Sequence, residues 1–180
     1  MIEHFGAIAK SVDLPIILYN IPGRTGVDMS PETIAFLAKE YQNIVAVKQS
    51  NANLDLISEI KMLSTDNFTI YSGDDSLTLP MLSIGAHGVV SVASHVVGNE
   101  IKSMIHNFKS GQVGAASNMH KILYPLFKKI FMAPNPTPIK ALLSKHELIQ
   151  NYVRRPLVEL DEQARLELAE CLDKVLNKIK

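Results

Sequence analysis

Lys48 closes the apolar run Ile44-Val45-Ala46-Val47, and a lysine at the end of a buried strand is positioned for amine chemistry. Desolvation disfavours an ammonium and exposes the free amine that imine formation needs. The same position also suits a lysine that runs its stem along the strand end and reaches water. Tyr19-Asn20-Ile21-Pro22-Gly23-Arg24-Thr25-Gly26 ends the preceding apolar run, which would set Tyr19 and Lys48 on adjacent strands at one rim. A phenol there can relay protons, and Arg24 on the following loop can grip a carboxylate with two parallel hydrogen bonds. The competing view is a turn stiffened by Pro22 and loosened by its glycines, with Arg24 solvated.

Other residues carry weaker signals. Asp74 and Asp75 could be a metal pair, but a role in ordering their loop is the better expectation. His4, His87, His95, His106, His120 and His146 never adopt metal-ligand spacing and read as surface or loop residues. Ser91 and Ser94 lack a Gly-x-Ser-x-Gly elbow. Met104, Met119 and Met132 are most simply core or interface filler.

The elements that must position these groups are legible from hydrophobic periodicity. Leu14 to Tyr19, Ile44 to Lys48, Phe68 to Ser72 and Gly88 to Val92 are short apolar runs between turn residues, and each predicts a buried strand, the Lys48 strand being expected to be buried on both faces. Helical patterns separate them. The first (Ile2, Phe5, Ile8, Ala9) starts at once. Ser30-Pro31-Glu32 is a strong helix start, followed by Ile34, Leu37, Ala38 and Tyr41 on one face. Asn53 opens the next, with Leu56, Ile57, Ile60 and Leu63 as its stripe. A short helix is expected from about Ser76 to Ile84, and another from near Asn99 to Gly111.

Beyond residue 110 no further strand is predicted. Helices are expected over Ala115 to Phe131 with Pro125 inside, Pro138 to Lys145, and Asp161 to Ile179, with Asn135-Pro136-Thr137-Pro138 as a rigid non-helical connection. Strand and helix in strict alternation predict an α/β fold with a parallel sheet. The expected organisation is a βα region over 1–110 and a helical region over 111–180.

Composition narrows the function classes. The 180 residues are 47% apolar and 20% charged with zero formal net charge, so neither nucleic acid nor an anionic membrane is an expected partner. No nucleotide-binding glycine pattern follows a strand. The single Cys171 rules out an internal disulfide and suits a reducing cytoplasm. No run approaches the length of a membrane helix, and the N-terminus lacks the pattern of a secretory signal.

Five motifs then occur in one order: Tyr-Asn-x-Pro-x-Arg-Thr-Gly at 19–26, Val-x-x-Lys at 45–48, Ser-Gly-Asp-Asp at 72–75, Gly-x-x-Gly-Val-x-Ser-Val at 85–92 and Asn-Pro-x-Pro-x-Lys at 135–140. In combination the chain resembles the dihydrodipicolinate synthase and N-acetylneuraminate lyase superfamily over essentially its whole length. The resemblance implies a (β/α)8 barrel with three extra C-terminal helices, of which this chain would supply four βα units. It implies that Lys48 forms an imine with pyruvate, that Tyr19 shuttles protons, and that Gly73 and Val90 line the pyruvate pocket.

Arg24 would bind the carboxylate of aspartate semialdehyde, which favours the synthase of lysine biosynthesis over a sugar-acid lyase. That imine chemistry needs no metal or organic cofactor. In the family a Thr-Thr-Gly-Glu motif, a tyrosine lent by a neighbouring subunit and a lysine-inhibitor site precede these motifs, and none has a counterpart here. A complete barrel takes about 250 residues. The expectation is therefore a shortened synthase that forms a homo-oligomer, the alternatives being a non-catalytic remnant or assembly module, or a sugar-acid aldolase.

Overall fold

The capping residues identified in the sequence do what their chemistry allows. Ser30 Oγ accepts from the Thr33 amide at 3.2 Å, and Asn53 Oδ1 accepts from the Asp55 and Leu56 amides at 3.0 and 3.4 Å. A cap of this kind contributes about 1 kcal/mol to its helix. In the computed structural model, which describes residues 1–179, two compact units divide after Val90.

The first unit contains α1 (Ile2–Ser11), β1 (Ile16–Asn20), α2 (Pro22–Thr25), α3 (Pro31–Glu40), β2 (Ile44–Gln49), α4 (Leu54–Leu63), β3 (Thr69–Ser72), a 3-10 turn (Asp75–Leu77), α5 (Thr78–Ser83) and β4 (Gly88–Val89). The four strands are parallel and lie side by side in chain order. Each strand therefore adds to the same edge, with no reversal of direction along the sheet.

One face of the sheet is covered. Leu18, Val47 and Ile70 point from successive strands into a core with Ile34 and Leu37 of α3, Ile57 and Ile60 of α4, and Met81 of α5. Burying one such aliphatic side chain stabilises by about 1.5–3 kcal/mol. The other face is open, against the burial on both sides expected of the Lys48 strand: Ile17 is 50% exposed, Tyr19 45% and Val90 44%. Alternation along a strand sends neighbouring side chains to opposite faces, so covering helices on one side does nothing for the other.

The first helix also departs from its predicted stripe, because Ile2 and Ile8 are exposed. Its buried face is Gly6 and Ala9. A side chain at position 6 would run into the Tyr41 ring, so the small residue is what permits the close approach. The segment expected to be a turn at 22–25 is a single helical turn, α2. Gly26 ends it at φ 69°, its amide donating to the Pro22 carbonyl at 2.9 Å, a left-handed position that favours glycine.

The second unit is helical: α6 (Ser94–Lys109), α7 (Val113–Lys129), α8 (Thr137–Lys145) and α9 (Glu162–Ile179). Val97 breaks α6 with φ −137° and ψ 39°, so the helix expected from near Asn99 is the straight part beyond that kink. Pro125 lies inside α7. Thr137 and Pro138 form the first turn of α8 instead of extending the expected connection, a position where proline is tolerated. Leu123, Leu126 and Phe127 of α7 are buried, as are Leu168 and Leu172 of α9.

Candidate active site

Register places the candidate residues. Tyr19 on β1, Lys48 on β2, Tyr71 on β3 and Gly88 on β4 are successive partners across the sheet. They share the open face, and they lie close to the C-terminal ends of the strands, where parallel α/β sheets gather ligands. Lys48 Nζ stands 4.0 Å from the centroid of the Tyr19 ring. The lysine is half-buried, its amine lying against the Tyr19 ring.

The backbone ladder continues one step beyond the strands and fixes a second row. Ser50 N donates to Asn20 O at 2.9 Å, Gly73 N to Gln49 O at 2.8 Å, and Val90 N to Ser72 O at 2.9 Å. Gly73 has no room for a side chain. A Cβ there would collide with Ser50 Oγ and stand 3.0 Å from Lys48 Cε. The bare α-carbon is thus covered by the Ser50 hydroxyl and the end of the Lys48 stem. Val90 sits exposed at the end of β4. Arg24 stands on α2 immediately after β1, its side chain exposed.

The rim is braced by polar contacts that sequence reading missed. Asn20, 2% exposed, donates through Nδ2 to Asp28 Oδ1 at 2.6 Å and accepts from the Met29 amide at 3.1 Å. Asn51 Nδ2 donates to Asp28 Oδ2 at 2.7 Å. One carboxylate therefore ties the loop after β1 to the loop after β2. Asn20 belongs to a quoted motif, but nothing local in the sequence points to Asp28 as its partner.

Asp74 orders its own loop, accepting from the Ser76 amide and hydroxyl at 2.9 Å, while Asp75 is buried. Among the described residues no three His, Cys, Asp or Glu side chains converge as metal ligands would. His120 differs from its surface expectation. It is half-buried on α7 with its ring centroid 5.9 Å from Tyr124 and 6.1 Å from Phe127, and burial holds its imidazole below the ordinary range. Two further residues of the Lys48 neighbourhood, Ser50 and Tyr71, carry no motif signal.

The arrangement offers an amine with a phenol beside it on an open sheet face. Those parts suit covalent capture of a small carbonyl compound.

The model of the Dihydrodipicolinate synthetase family matches residues 1–175. The 4-hydroxy-tetrahydrodipicolinate synthase 1 of Halalkalibacterium halodurans is 54% identical over 94% of this chain and 58% of its own length. The 4-hydroxy-tetrahydrodipicolinate synthase of Listeria monocytogenes serovar 1/2a is 49% identical with the same coverage. Among solved structures, the dihydrodipicolinate synthase of Aquifex aeolicus superposes with a TM-score of 0.94 at 43% identity, over 96% of this chain and 59% of that one. The chain thus spans somewhat more than half the length of the relatives it matches.

Proposed function

This chain belongs to the dihydrodipicolinate synthetase family, and we propose from that premise that Lys48 is the amine that captures pyruvate for condensation with aspartate semialdehyde. The observation that carries the reading is the pairing of Lys48 with Tyr19 at the rim of a parallel sheet, Nζ over the ring.

The steps follow from the groups present. The Lys48 lone pair attacks the pyruvate carbonyl carbon, the carbonyl oxygen leaves as water, and an iminium joins Nζ to the substrate. The iminium draws electrons from the methyl carbon, which gives up a proton to form an enamine. That carbon then attacks the aldehyde carbon of the second substrate, whose oxygen takes up a proton. Tyr19 is the proposed carrier of these protons, since its ring lies against the lysine. Gly73 and Val90 are the proposed lining of the pyruvate site. Arg24, on the turn after β1, is the proposed anchor for the second carboxylate.

The sheet is proposed as half of a (β/α)8 barrel, which its unbroken 1-2-3-4 parallel order supports. A homo-oligomer and a cytoplasmic setting go with the reading; the unpaired Cys171 suits the latter. No described helix is long and apolar enough to cross a membrane.

One observation favours a second reading, capture of pyruvate without turnover. The face that bears Lys48 is open, so water has access to the enamine before a second carbonyl compound can meet it. Incubation with pyruvate and borohydride, followed by peptide mass mapping, tests the first claim: the reduced adduct is expected on Lys48. Label on another lysine with Lys48 unmodified overturns it. A coupled synthase assay on the same sample separates turnover from capture.

A further inference from the structure

The second unit carries a pocket of about 340 Å³ between α8 and α9. Its apolar wall combines Ala141 and Leu142 of α8 with Leu168 and Ala169 of α9, and Leu166, 56% exposed, adds an open apolar edge. An alanine on each helix keeps that wall short. A volume of this size, mostly apolar with a few charged groups, is what small-molecule sites share. Asn151 closes a third side, its Nδ2 donating to Glu159 Oε2 at 3.0 Å.

Side chains of both charges line the same pocket. Lys145 is partnered, its Nζ 3.5 Å from Asp173 Oδ2. Glu162 and Arg165 also line it, and among the described residues neither has an ion-pair partner. They stand three residues apart on α9, a spacing at which an acid and a base share a helix face and commonly pair. Here a free carboxylate and a free guanidinium flank one apolar wall without meeting each other.

We propose that this pocket binds a free α-amino acid with an apolar side chain, its carboxylate on Arg165, its ammonium on Glu162 and its side chain against Ala141 and Ala169. Both charged ends of an α-amino acid hang from one carbon, so two opposite charges on one helix face can engage them together. The guanidinium fork matches a carboxylate with two parallel N–H bonds. A ligand with a carboxylate alone would meet Glu162 as a like charge, and an amine alone would meet Arg165 in the same way. The ligand displaces only the weak pairing open to two exposed helix residues. The site lies wholly in the second unit and uses none of the residues assigned to imine formation.

The test is calorimetric titration of the full 180-residue chain with L-leucine, isocaproate and isoamylamine, the last two being the leucine skeleton without its ammonium or without its carboxylate. Saturable leucine binding is expected, with each half-ligand weaker by about tenfold or more. Arg165→Ala and Glu162→Gln, both at exposed positions, should each raise the leucine Kd by about tenfold. Hydrogen–deuterium exchange should slow on leucine binding in peptides that cover α8 and the first half of α9.

Absence of saturable leucine binding overturns the proposal. So does isocaproate or isoamylamine binding as tightly as leucine, since one charge would then suffice. An unchanged leucine Kd in either variant, or exchange protection confined to other elements, overturns the placement of the ligand at Glu162 and Arg165.

Discussion

Lys48 Nζ lies 4.0 Å from the centroid of the Tyr19 ring because the two residues are register partners on adjacent parallel strands. The contact separates two jobs that a single tyrosine can do. Its ring face attracts the ammonium, at about 0.5–1 kcal/mol for a partly exposed site. Its hydroxyl is the group proposed to carry protons. Tyr19→Phe keeps the ring, so denaturant unfolding should detect little change, whereas Tyr19→Leu should be less stable than Tyr19→Phe by about 0.5–1 kcal/mol. In a complete family barrel carrying this segment, Tyr19→Phe should nonetheless lose about a hundredfold or more in turnover. Retained turnover in Tyr19→Phe would remove the phenol from the proton path.

Arg24 is placed after β1 by a single helical turn that Gly26 terminates. In the same complete barrel, Arg24→Ala should weaken use of aspartate semialdehyde by about ten- to a hundredfold, the loss of a charge-assisted contact of about 1.5–3 kcal/mol. Pyruvate trapping on Lys48 should change far less. Equal loss of both steps would assign Arg24 to the fold of its loop.

The Asp28 carboxylate receives hydrogen bonds from Asn20 and Asn51. Asp28→Ala leaves the buried Asn20 amide without that acceptor and should destabilise the chain by about 1–3 kcal/mol in denaturant unfolding. Asp28→Asn restores one acceptor oxygen and should recover part of the loss. A stability unchanged in Asp28→Ala would mean that solvent replaces the bridge at no cost.

The open sheet face bears on the state of the chain in solution. Ile17, Tyr19 and Val90 are each more than two-fifths exposed, and among the described residues β1 and β4 each have one strand neighbour. Uncovered edges and apolar faces recruit other chains. Light scattering on the 180-residue chain at micromolar concentration should therefore report a homo-oligomer or aggregation. A monodisperse monomer is the contrary result.

His120 sets a pH dependence of known sign. Burial holds its folded-state pKa below the ordinary value of about 6.5. Above that pH both states are neutral and the residue adds no slope. As pH falls below about 6.5 the unfolded chain binds the proton first, so stability declines until the folded imidazole also titrates. Unfolding free energies measured from pH 7.5 to 5 should fall more steeply in the unsubstituted chain than in His120→Phe. Parallel curves would show that His120 is not the source.

Much of this molecule is written locally. The strand positions follow from apolar runs bounded by turn residues, and the starts of α3 and α4 from Ser30 and Asn53, because capping and periodicity depend on neighbours within a turn. The motif order around Tyr19, Lys48 and Gly73 sufficed to indicate the family. Tertiary structure decided what depends on residues far apart in the chain. Alternation alone could not say that helices cover only one face of the sheet, nor that Ile2 and Ile8 stay exposed while Gly6 meets Tyr41. The Asn20–Asp28–Asn51 bridge and the unpaired Ser50 hydroxyl beside Gly73 exist only once parallel register has aligned the strand ends. Hydrogen bonds and steric exclusion act over a few ångströms, and only the folded sheet brings those atoms within that range.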